Sequence, residues 1–273
     1  IAWSTHDAGF AHRVLIEPES DVEAIPQRSI EATRNGAYAR LDGEAVLHYH
    51  HAVVGGLAPA TTYRFLVESD GITGRELRFT TAPADGRPVA LLAASDSRSD
   101  RAQRQAIDDR LRMLFEADPQ VIGLLHGGDY VYDGTSLELF AGWMTDHERT
   151  ITRDGRGLPI VPTRGNHESR GELFDQVFGW PGGGEPRNWY ACRIAKDSLL
   201  LVLNTETAAG GDQALFVEES LAAAHDARWL LASYHQPAFP AVKEPSAALL
   251  HWVPSFEKHG VDLVVESDGH VQK

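Results

Sequence analysis

Two patterns of apolar and polar positions follow one another along the chain. Up to about residue 82, short segments alternate apolar with polar side chains and are rich in β-formers, as in residues 45–54 and 62–67. Pro, Gly, Asn and Asp interrupt them at short intervals, and residues 78–81 read as a last strand before a Pro- and Gly-containing linker at 83–88. From residue 89 the alternation gives way to compact apolar runs separated by amphipathic stretches. Strands are predicted at 89–94, 121–125, 158–161, 198–203, 229–232 and 261–265. Helices are predicted at 104–115, 137–147, 213–224 and 249–258, with Asp100 capping the first of them. Strands that alternate with helices imply an α/β layered fold. The expected organisation is therefore a small all-β unit at 1–82 and an α/β unit at 89–273.

The apolar runs of the second unit end in polar residues of one chemical character. The run at 121–127 leads into Gly128-Asp129-Tyr130-Val131-Tyr132. Other strand ends carry Ser95-Asp96-Ser97-Arg98, Gly165-Asn166-His167-Glu168, Tyr234-His235-Gln236 and Ser267-Asp268-Gly269-His270. In an α/β sheet the carboxyl ends of the strands are where ligands bind. Carboxylates, an amide oxygen and imidazoles delivered one strand at a time suit a two-metal hydrolytic centre, whose ions lie about 3.5–4 Å apart. Asp129, central in this set, is the candidate bridge. Asn166 offers a neutral oxygen, His235 and His270 offer imidazoles, and His167 is expected to lie over the substrate.

Composition narrows the partners. The 273 residues carry a formal net charge of −14, which disfavours nucleic acid and anionic membranes. A phosphate substrate remains compatible, because bound ions dominate the local field. No apolar run is long enough to span a membrane. The single cysteine, Cys192, permits no internal disulfide and reads as a packed strand residue. The chain begins at Ile1 in what reads as the middle of a strand, so preceding residues are expected. His48, His50 and His51 tempt as a metal site, but with no carboxylate nearby they are expected to face solvent from a strand. Gly182-Gly183-Gly184 is expected to be a surface loop, since no strand-to-helix pattern with Lys-Ser/Thr follows it.

These motifs, in this order, resemble the calcineurin-like metallophosphoesterases over residues 89–273. That resemblance implies a four-layer sandwich of sheets flanked by helices. The stretch from Gly55 to Tyr63 and the early Trp3 resemble a fibronectin type III sandwich, whose tyrosine pins a corner. Together with Tyr132, three residues after Asp129, they resemble the purple acid phosphatase branch. Carried over, the resemblance gives one ion to Asp96, Asp129, Tyr132 and His270, and the other to Asp129, Asn166, His235 and Asp268. Iron is implied in the first position, with iron, manganese or zinc in the second. The family pattern ends in Gly-His-x-His, and two alignments stand: Asp268 replaces the first histidine, or Gln272 replaces the second. The first needs no insertion. The implied activity is acid-phosphatase-like hydrolysis of phosphate monoesters by metal-bound hydroxide. His167 would serve the leaving group and Arg98 a phosphate oxygen. The resemblance also implies secretion or periplasmic export, a small phosphorylated substrate, and family sequence beyond Lys273. Two alternatives remain: a phosphodiesterase or nucleotidase on the same centre, and a binding or adhesive protein whose core has lost activity. The oligomeric state is left open.

Overall fold

A computed structural model of the chain describes residues 1–19, 27–39, 46–179 and 187–270. The first half of the β-rich region contributes β1 (Ala2–Thr5), β2 (His12–Pro18), β3 (Arg28–Glu31), β4 (Arg34–Ala37) and β5 (His48–His51). It continues with β6 (Thr62–Ser69), β7 (Ile72–Thr73) and β8 (Leu77–Thr80). They form two antiparallel sheets: β1-β5-β4, and β3-β2-β6 with β7 and β8 both paired to β6. Val14, Ile16, Ala52 and Tyr63 are buried between them, with Trp3, Phe65 and Phe79 packed alongside. The Tyr63 hydroxyl accepts a hydrogen bond from Ala58 N at 2.8 Å and so pins the chain before β6.

The histidines of β5 correct an expectation. His50 and His51 are 1% and 5% exposed, not solvent-facing. β5 is the middle strand of its sheet, and both faces of that sheet are covered. On one face His50 stacks on His12 of β2, with ring centroids 3.7 Å apart. On the other, His51 Nε2 donates to Gln176 O at 2.8 Å. Alternation identifies a solvated face only where a sheet has one.

The α/β region holds two further sheets. β9 (Ala90–Ala94), β10 (Val121–His126) and β11 (Ile160–Pro162) run parallel in the order β11-β10-β9. β12 (Tyr190–Ala195), β13 (Ser198–Val202), β14 (Trp229–Tyr234) and β15 (Leu263–Glu266) form the second sheet, parallel except for β12. Leu125 of the first sheet meets Leu200 and Val202 of the second, with Leu91, Val161, Cys192 and Val265 around them. The helices are α1 (Arg101–Ala117), α2 (Leu137–His147), α3 (Leu173–Val177), α4 (Asp212–Ala223), α5 (Ala248–His251) and α6 (Val253–His259). α1 covers the outer side of the first sheet through Leu111 and Phe115. α4 and α6 cover the second through Val217, Leu221 and Phe256. Helix, sheet, sheet and helix thus make four layers.

Asp100 caps α1 by accepting from Gln103 N at 3.2 Å. The single helix expected at 249–258 is instead two, parting at Trp252. Pro254 lacks an N–H and fits the first turn of a new helix better than the interior of an old one. The Gly182-Gly183-Gly184 loop and Gln272 lie outside the described residues.

The β-rich region is joined to the α/β region by a shared apolar floor. Tyr38, Leu47 and Tyr49 pack with Tyr130, Val131, Trp143 and Phe174. Arg34 Nη1 donates to Asp175 O at 2.5 Å, and Ala39 N donates to the Gln176 side chain at 2.8 Å.

Candidate metal centre

All five parallel strands that carry the polar motifs present their carboxyl ends at one edge, and backbone hydrogen bonds lace the loops together there. Gly127 N donates to Ala94 O, Asp96 N to Gly128 O, Thr163 N to His126 O, and Ser267 N to His235 O. The turns are tight enough to force unusual backbone. Asp96, Asp129, Asp268 and His270 all have φ between 48° and 61°, the left-handed region that costs a non-glycine residue energy. Gly128, at φ 103°, lets this loop pass against its neighbours: a Cβ there would lie 2.7 Å from His235 Nδ1 and 2.8 Å from Gly165 Cα.

One atom each from Asp96, Asp129 and His235 lie within 4.8 Å of one another, a mixed oxygen and nitrogen donor set that fits a transition-metal ion. Asp129 is fully buried and its two oxygens face different ways. Oδ1 lies 3.3 Å from His235 Nε2 and accepts from His167 N at 3.0 Å. Oδ2 lies 2.8 Å from Arg98 Nη1. On the Oδ1 side, Asn166 Oδ1 stands 3.0 Å and Asp268 Oδ1 3.7 Å from His235 Nε2. On the Oδ2 side, His270 Nε2 stands 2.9 Å from Asp96 Oδ1. The structure thus brings Asp96, Asp129, Asn166, His235, Asp268 and His270 together around the buried Asp129 carboxylate.

The hydrogen bonds settle the tautomers. His235 Nδ1 donates to Gly127 O at 2.8 Å, which directs Nε2 to the carboxylates. Burial alone would discharge this imidazole, but the neighbouring Asp129 carboxylate raises its pKa to about 9. An ion bound at Nε2 would therefore have to replace a proton there. The Asp129 pKa is lowered in turn, as the His235 and Arg98 charges outweigh the penalty of its own burial. His167 Nδ1 donates to Tyr132 O at 2.5 Å, leaving Nε2 3.9 Å from Asp129 Oδ2.

Tyr132 stands apart from this cluster. It is 68% exposed, its ring lies 5.2 Å from that of His167, and its hydroxyl bonds to no described residue. Tyr130, two residues earlier, is core: its ring stacks on His126 at 3.8 Å and its hydroxyl donates to His126 O.

Three participants escaped the sequence reading. Glu168, fully buried, accepts from the backbone N of Asp129, Tyr130, Val131 and Gly165, and so shapes two ligand loops at once. Burial, and then the charge of Asp129, push its pKa to about 7 against the pull of those N–H groups. Its place in the Gly-Asn-His-Glu run was the available signal. Lys243 Nζ lies 2.6 Å from Asp268 Oδ1 and comes from a loop with no motif. His126 accepts from Gly128 N at Nδ1 and reaches Ser97 Oγ with Nε2 at 3.0 Å. Burial holds its pKa at about 3, so it is a neutral buttress of the loop.

The calcineurin-like phosphoesterase family matches residues 90–272, the stretch that supplies every one of these ligand candidates. The chain belongs to the calcineurin-like phosphoesterases. Members of this family are metal-dependent phosphoester hydrolases that normally bind two metal ions. A search of curated proteins gives no significant sequence match. Among solved structures, the chain is similar to one titled "Structure of PhoD", with a TM-score of 0.62 at 12% sequence identity. The alignment covers 95% of this chain and 65% of that one. At that identity the likeness concerns the fold. Among the described residues, no helix is long and apolar enough to cross a membrane.

Proposed function

We propose that this phosphoesterase is a binuclear-metal phosphatase acting on phosphate monoesters. The observation that carries the proposal is Asp129, whose Oδ1 faces His235 and whose Oδ2 faces the Asp96 and His270 side, each side drawing residues from both sheets. Asp96, Asp129 and His270 would hold one ion, with Tyr132 added to them only by the sequence resemblance. Asp129, Asn166, His235 and Asp268 would hold the other. When bound, the ions supply Lewis acidity to the phosphoryl oxygens and to the attacking water. The carboxylates and His235 orient that charge. His167 is fixed through Nδ1, so its Nε2 is the atom available to protonate a departing alkoxide. Iron in the first position follows from the tyrosine assignment, and Asp268 in place of an imidazole favours a hard ion in the second.

The division into a fibronectin-like unit at 1–82, a linker at 83–88 and a catalytic unit from 89 belongs to the same proposal, as does export from the cytoplasm. Metal analysis of the purified protein, followed by hydrolysis of p-nitrophenyl phosphate and bis(p-nitrophenyl) phosphate, tests it. About two ions per chain and a preference for the monoester are expected. Asp129→Asn, which blunts the shared ligand, should abolish turnover and metal retention together. A preference for the diester would move the reading to a phosphodiesterase. Metal-free, inactive protein that Fe, Mn or Zn does not restore would refute hydrolysis.

A further inference from the structure

Arg98 stands among the metal-ligand candidates themselves. Its Nη1 lies 2.8 Å from Asp129 Oδ2, 3.2 Å from Asp96 Oδ1 and 2.9 Å from His270 Nε2. These are three of the groups assigned above to the first ion, and they converge on a single guanidinium nitrogen. The side chain is only 17% exposed, so the contacts are shielded from water. The other oxygen of Asp96 is held independently, by Ser95 Oγ at 2.5 Å and Asp268 N at 3.3 Å. Asp96 therefore keeps its orientation whether or not Arg98 stays.

We propose that Arg98 is an exchangeable internal cation, and that the first ion enters its half-site by displacing the guanidinium. The inference rests on the two-ion reading given above. A guanidinium cannot shed its proton at any ordinary pH, so this positive charge leaves the half-site only by moving. In the metal-free protein it neutralises Asp96 and Asp129 and holds their loops together. Once displaced, it is free to pair with the oxygens of a bound phosphate, to which its forked donors are matched. Metal affinity in this half-site is then the difference between two cations, not the gross attraction of two carboxylates and an imidazole.

The test compares wild type with Arg98→Met in manganese(II) titration calorimetry and in thermal melts after chelation and after manganese loading. Arg98→Met should bind one of the two manganese ions ten-fold or more tightly than wild type. It should melt several degrees lower when metal-free, and the gap should close on loading. Equal affinities and equal metal-free melting would overturn the exchange while leaving the two-ion reading intact. Failure of both proteins to bind manganese, iron or zinc would overturn both. If Arg98→Met folds only with manganese present, the exchange is supported. If it does not fold at all, Arg98→Lys decides: its shorter reach should tighten manganese binding, and an unchanged affinity would overturn the inference.

Discussion

Replacing Gly128 by alanine tests whether the closeness of the ligand loops is as tight as the geometry implies. At φ 103° an L-residue is strained, by about 1–3 kcal/mol. The new methyl group would lie 2.7 Å from His235 Nδ1 and 2.8 Å from both Gly165 N and Cα. Two of those three atoms are backbone, so relief requires moving the loop that carries Asn166. Overpacking of this kind adds about 1–3 kcal/mol. A destabilisation of about 2–6 kcal/mol is therefore expected in urea unfolding of the chelated protein. The same shift would push His235 off the Gly127 carbonyl, so manganese affinity should fall with stability. Gly142→Ala is the matched control. It lies in α2 with nothing within 4 Å of a new Cβ, and alanine is the better helix former by about 1 kcal/mol. If Gly128→Ala unfolds within 1 kcal/mol of wild type while retaining metal, the packing of the centre is looser than described and the reasoning fails.

Glu168→Ala removes the acceptor of four buried N–H groups, each worth about 1–3 kcal/mol when orphaned. Set against relief of a buried carboxylate, it should still cost about 3 kcal/mol or more in denaturant titration and abolish metal binding; normal metal content would show that the loop shapes itself. Acidification should destabilise the β-rich region through His50 and His51, whose pKa values burial lowers to about 4. Because the unfolded chain takes up these protons near pH 6.5 and the folded chain does not, stability falls as pH drops from about 6.5 to 4, by on the order of 3 kcal/mol for His51. His51→Gln should flatten that part of the pH profile of the melting temperature, and an unchanged slope would refute the assignment.

The α/β layering and the ligand edge were legible because both follow from local pattern. Buried parallel strands are apolar throughout, and each of the five ended in the polar motif that the fold gathers at one edge. What escaped depended on contacts between distant segments. His50 and His51 look solvated in sequence because nothing local announces that β2 will cover one face of β5 and α3 the other. Lys243 reaches Asp268 from a loop without periodicity or motif. Arg98 was read as a phosphate partner from its position after Asp96. That it points back onto Asp96 and Asp129 is a contact between segments that no local pattern announces. The break at Trp252, by contrast, was available in Pro254 and was overridden by the apolar periodicity on either side.

The floor shared by Tyr38 and Tyr49 with Tyr130, Val131 and Phe174 bears on how such a protein can be cut and recombined. Tyr130 and Val131 directly follow the bridging candidate Asp129, so the β-rich segment is load-sharing masonry beneath the centre. The α/β region grafted without it would expose aromatic surface and lose the anchors at Asp175 and Gln176, which follow the Gly-Asn-His-Glu loop. Recombination between the β-rich and α/β regions therefore carries a compatibility requirement: any replacement partner must bring its own pair of aromatic side chains to that floor.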